Sequence, residues 1–183
     1  DQQDTFTDLG ILMVLIIILV FIVMAAQFES LTDPFVIMFS IPFAFTGIVL
    51  GLAVTQTPLG VMALIGVIML MGIVVKNGIV LIDYTILCRE RGMGIITSVV
   101  TAGKSRLRPV LMTTLTTVLG MIPMAVGTGE GSEMWRSMGM TVAWGLSVST
   151  LITLIIVPTV YAVFAANGVK RRRRKIRKAL RNN

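Results

Sequence analysis

The chain has 183 residues, 55% of them hydrophobic and 14% charged, and a mean hydropathy of +0.91. Soluble domains run at about 45–50% apolar and 25% charged, so this balance excludes an ordinary soluble domain and implies several apolar runs of bilayer-spanning length. The net charge of +7 does not argue for a nucleic-acid partner: nine of the sixteen Lys and Arg lie between Lys170 and Arg181, and the rest of the chain holds 7 basic against 9 acidic residues.

The first eight residues carry Asp1, Asp4 and Asp8 and no base. There is no initiator Met and no basic leader, as expected of a piece of a longer or processed chain. A first span of about Leu9 to Gln27 is rich in Ile, Leu and Val. It ends in the turn Phe28-Glu29-Ser30-Leu31-Thr32-Asp33-Pro34, where Asp33-Pro34 reads as a cap and a first-turn proline. The second span, about Pro34 to Val54, is expected to kink at Pro42, which membrane helices tolerate. Its Gly47 and Gly51 form a small-xxx-small pair that would admit a neighbouring helix, although one such pair also arises by chance.

The third span, about Leu59 to Leu87, contains Gly60, Gly66, Gly72 and Gly78. Glycines favour burial among helices over lipid exposure, which predicts a place inside the bundle for Lys76. A lysine at the centre of a membrane helix costs roughly 2.5–3.5 kcal/mol, and Lys76 lies only about 5 Å along the axis from the middle of this run. Either it snorkels to an interface, or it is a charge that titrates or switches partners as protons or ions cross. Asp83 falls on nearly the same face two turns on, about 10 Å away, too far for a direct pair. A partner on another helix is therefore expected.

The connection Arg89–Arg108 holds five bases and one acid. Its middle, Ile95 to Ala102, reads as a short amphipathic helix on the membrane surface. The fourth span, about Pro109 to Val126, is rich in threonine. Most of these threonines are expected to bond the carbonyl one turn back, but Thr113 lies seven residues after Arg106 and shares its face. The loop Gly127–Arg136 has two acids and no Lys-Ser/Thr, so it is no phosphate loop; Trp135 reads as an interfacial anchor. A fifth span of about Met138 to Phe164 precedes the basic tail.

The expectation is thus an all-α polytopic membrane bundle of five transmembrane helices. Alternation puts the Arg89–Arg108 connection and the tail on one side, and the excess of bases there gives N-terminus out and C-terminus in. The tail reads as a cytoplasmic topology signal with affinity for anionic lipid. The sequence has no His and one Cys, Cys88. No intrachain disulfide, Cys/His metal site, histidine relay or Ser-His-Asp triad is then available, and no metal or cofactor is expected.

Four motifs in this order resemble the resistance-nodulation-division efflux permeases, most nearly the hydrophobe/amphiphile multidrug branch. They are Phe28-Glu29-Ser30, Gly72-Ile73-Val74-Val75-Lys76-Asn77-Gly78-Ile79-Val80-Leu81-Ile82-Asp83-Tyr84, Arg106-Leu107-Arg108-Pro109-Val110-Leu111-Met112-Thr113-Thr114 and Gly127-Thr128-Gly129-Glu130-Gly131-Ser132. The resemblance implies a secondary active transporter of the bacterial inner membrane, a homotrimer that exchanges protons for drugs with a periplasmic adaptor and an outer-membrane channel. This chain resembles its last five spans: a periplasmic junction at 1–8, a transmembrane bundle at 9–169 and a basic cytoplasmic tail at 170–183. The resemblance further implies that Lys76 pairs with a carboxylate duo on another span. Thr113 and Arg106 would share its proton pathway, with Asn77 and Asp83 as neighbours of the relay. Those paired acids are absent from this chain, as are the porter domains, so the substrate site is unknown. An accessory scaffold without transport activity is the main rival. An intramembrane enzyme lacks its catalytic set, and a heavy-metal exporter would have to use methionines whose scatter reads as packing.

Overall fold

A computed structural model describes residues 1–29 and 31–181. Ser30 of the Phe28-Glu29-Ser30 motif and Asn182 and Asn183 of the tail lie outside the described residues. The described chain is helical: α1 (Gln2–Phe28), α2 (Thr32–Met38), α3 (Ser40–Thr55), α4 (Val61–Glu90), α5 (Ile95–Val126) and α6 (Ser132–Arg181). Five helical stretches are long and apolar enough to cross a membrane, namely α1, α2 with α3, α4, α5 and α6. These are the five expected spans.

Several boundaries differ from the sequence reading. The helix of the first span begins at Gln2, so the acidic opening residues are its first turns. Asp33 is not a cap: α2 starts one residue earlier, with Pro34 in its first turn. The second span is interrupted at Phe39, three residues before Pro42. Proline has no N–H to offer the carbonyl of the preceding turn, and the Ser40 hydroxyl donates to Ile37 O at 2.6 Å. Phe39 itself stays in the right-handed region (φ −60, ψ −23), so the axis is broken without reversing.

The proposed surface helix and the fourth span are one 32-residue helix, with Pro109 inside it. Pro109 is exposed, and at an exposed position the carbonyl that loses its donor is not trapped in the packed core. Likewise α6 runs unbroken for 50 residues through Pro158 and into the basic tail, about 75 Å at 1.5 Å per residue. Trp135 therefore sits in the first turn of α6 and is exposed. Between α4 and α5, Gly92 takes φ +88. Met93 N–H reaches Cys88 O and Gly92 N–H reaches Arg89 O, the paired bonds of a glycine-terminated helix end. That sharp stop turns α5 back alongside α4.

The core is centred on α6, which packs on α3, α4 and α5. Leu70, Val74, Leu81 and Ile82 of α4 meet Leu146 and Val157 of α6 and Ile48 of α3 in one buried cluster. Gly47 and Gly51 do admit a neighbour: they face Val148 and Trp144 of α6. Gly145 answers from α6 against Leu70 and Ile48. Helix α1 stands at the edge and buries Met24 alone.

Candidate functional site

The buried residues of α4, among them Gly66, Leu70, Val74, Asn77, Gly78, Leu81 and Thr85, define the face turned to the rest of the bundle. The opposite stripe, Met69, Gly72, Lys76, Asp83 and Leu87, is exposed. Lys76 therefore does not lie inside this bundle, contrary to the glycine argument. Gly66 and Gly78 are contact glycines, against Thr141 and Ile37, whereas a Cβ on Gly72 would meet nothing within 4 Å. The glycine series winds around the helix, and its members divide between the two faces. Lys76 and Asp83 share the open one, as the seven-residue spacing predicts, and among the described residues neither makes an ion pair or a hydrogen bond. Asn77 is buried on the inner side.

Helix α5 supplies Arg106 and Thr113. The Arg106 guanidinium carbon lies 4.9 Å from the centre of the Tyr84 ring, a cation–π distance. Its Nε is buried with no hydrogen-bond partner among the described residues. Tyr84 is a member of this site that the sequence did not single out, and periodicity alone gives no signal for a pair on separate helices. The contact also sets the register. Because α4 and α5 are antiparallel, seven residues forward from Arg106 matches seven residues back from Tyr84, about 10 Å on each helix. Thr113 is thereby brought to about the axial level of Asn77 and Lys76.

Thr113 is exposed, and its hydroxyl donates to Pro109 O at 3.0 Å. Thr116 and Thr117 likewise bond their own preceding turn. Thr114 is the exception: its hydroxyl meets that of Thr150 on α6 at 3.1 Å, both buried. A second polar link missed from sequence lies at the end of α4, where Arg89 Nη1 donates to the hydroxyl of the buried Tyr161 on α6 at 3.1 Å. What the arrangement offers chemically is a cation, Lys76, on the open face of α4, and about two turns along that helix a half-buried guanidinium, Arg106, whose Nε has no partner among the described residues. No carboxylate of the described chain is paired with either. An anion brought by another element would meet charges already in place.

Comparison with known proteins gives this face a context. Residues 1–165 match the model of the AcrB/AcrD/AcrF family. The swarming motility protein SwrC of Bacillus subtilis is 43% identical over 166 residues, covering 90% of this chain and 16% of that protein. The cobalt-zinc-cadmium resistance protein CzcA of Cupriavidus metallidurans is 36% identical, covering 87% and 15%. The multidrug resistance protein MdtC of Proteus mirabilis is 35% identical, covering 93% and 16%. Among solved structures, the crystal structure of a heavy metal efflux pump superposes with a TM-score of 0.81 at 30% identity, covering 90% of this chain and 16% of that one. The chain thus spans about one sixth of the length of these relatives.

Proposed function

The chain belongs to the AcrB/AcrD/AcrF family of resistance-nodulation-division efflux permeases, and from that premise we propose that it is the C-terminal transmembrane part of a proton-driven drug efflux transporter. Lys76 supplies the cation of the proton relay. The observation that carries this reading is the exposure of Lys76 on a stripe with Gly72 and Asp83. A stripe meant for lipid would be uniformly apolar, as the outer face of α1 is with Ile11, Leu15, Ile18 and Ile22. A lysine facing lipid at this depth would cost roughly 2.5–3.5 kcal/mol; facing an acid on another span, it is stabilised. Protonating that acid removes the partner, Lys76 reorients, and the equilibrium between two helix arrangements shifts. Arg106 and Thr113 line the same route from α5, and Asn77 and Asp83 flank it.

The assembly that goes with this function is a homotrimer in the bacterial inner membrane, N-terminus out and C-terminus in, working with a periplasmic adaptor and an outer-membrane channel. The basic tail then lies at the cytoplasmic face, where it attracts anionic lipid. Lys76→Met in the full-length permease tests the reading. It should abolish proton-coupled efflux while assembly persists; retention of wild-type efflux would leave the accessory-scaffold reading in its place. A second reading, export of metal cations, is favoured by the similarity to CzcA, a cobalt-zinc-cadmium resistance protein, and to the heavy metal efflux pump of known structure. Resistance profiles of a deletion strain against drugs and against divalent cations separate the two.

A further inference from the structure

The basic residues at the root of the α6 tail differ from those beyond it because they share a cavity with a second helix. Phe164, Asn167, the adjacent pair Lys170 and Arg171, and Arg174 recur about once per turn of α6, and together with Thr32 at the start of α2 they line a hollow of about 650 Å³. Three cations and an amide donor converge there, and among the described residues no carboxylate lines it. Below the cavity an exposed aromatic track continues along α2. Phe164 meets Phe35 edge-on at 6.1 Å between ring centres, and Phe35 meets Phe39 in the same way at 5.3 Å. All three rings are partly open to the surroundings, on helices apolar enough to cross a membrane.

We infer that this is a binding site for an anionic phospholipid, its phosphate held by Lys170, Arg171 and Arg174 and one acyl chain laid along Phe164, Phe35 and Phe39. A free phosphate would use the cations and leave the aromatic track empty; the continuity of the two favours the lipid. Arg and Lys donors suit phosphate oxygens, and each basic residue close to an anionic membrane surface adds to the attraction. The site rests on the reading that the tail lies at an anionic membrane face, but it narrows that attraction from the whole tail to its root.

The test uses the full-length protein in nanodiscs of phosphatidylcholine doped with spin-labelled phosphatidylglycerol, with the motionally restricted fraction as the readout. The variant K170Q/R171Q/R174Q should lower retention of the anionic lipid by on the order of tenfold. R177Q/K178Q/R181Q removes the same charge outside the cavity and should leave retention within about twofold. Phe35→Ala should weaken lipid retention with every charge in place. Equal losses in the two triple variants overturn the site while leaving diffuse attraction to the tail intact; no loss in either overturns both. Full displacement of the lipid by inorganic phosphate, together with no effect of Phe35→Ala, would make this a free-phosphate site and overturn the lipid assignment.

Discussion

The same substitution placed on the two faces of the bundle should have opposite effects. A Cβ added at Gly51 would lie 2.5 Å from Trp144 Cγ and closer still to Trp144 Cβ. Because Trp144 Cβ is fixed to the α6 backbone, rotation of the side chain cannot relieve the clash, and α3 must move. Overpacking of this kind costs about 1–3 kcal/mol, against a gain of about 0.5–1 kcal/mol for replacing a helical glycine by alanine. Gly51→Ala should therefore destabilise by about 1–2 kcal/mol. Gly72 has nothing within 4 Å of an added Cβ, so Gly72→Ala should gain up to about 1 kcal/mol. The two variants should differ by about 2–3 kcal/mol in the midpoint of unfolding by SDS, followed by circular dichroism on purified protein. Midpoints that move together would refute the assignment of inner and outer faces. Gly72→Leu adds a functional readout: it should leave this packing intact and still stop efflux if the open face docks the rest of the permease.

Three further outcomes follow from the polar contacts. Tyr161→Phe removes the acceptor of Arg89 and should cost about 1 kcal/mol by the same unfolding assay, since Arg89 keeps access to water. Thr114→Val or Thr150→Val alone should cost about 1–2 kcal/mol by stranding a buried hydroxyl, and the double variant less than the sum, which a double-mutant cycle measures. Thr113→Val removes only a local bond to Pro109 O and should change stability by less than about 0.5 kcal/mol, so any loss of efflux in that variant is not a folding defect.

The number of spans and the glycine contact on α3 were legible because they depend on local properties. A run of about 20 apolar residues must cross the bilayer or be buried whatever else the protein does, and a small-xxx-small pair admits a close neighbour wherever one is present. The seven-residue spacings of Lys76 to Asp83 and of Arg106 to Thr113 likewise fixed which side chains share a face. Helix continuity was less legible. Pro109 reads as the start of a span in sequence, yet the structure carries α5 through it, as it carries α6 through Pro158, because one lost donor is a small defect in a long helix held by its neighbours.

Which face of α4 turns outward was decided by tertiary structure. Apart from Lys76, Asn77 and Asp83, the middle of α4 is apolar nearly all round, and those polar residues divide between the outer and inner faces, so its sequence alone does not orient it against the core. Its rotation is set by the fit of Gly66 against Thr141 and Gly78 against Ile37, and that fit leaves Gly72 and Lys76 facing away. The contacts of Arg106 with Tyr84 and of Thr114 with Thr150 arise in the same way. The sequence determines that a charge lies at membrane depth; the packing of glycines against large side chains on other helices determines where it points, because close approach can be satisfied on only one face at a time.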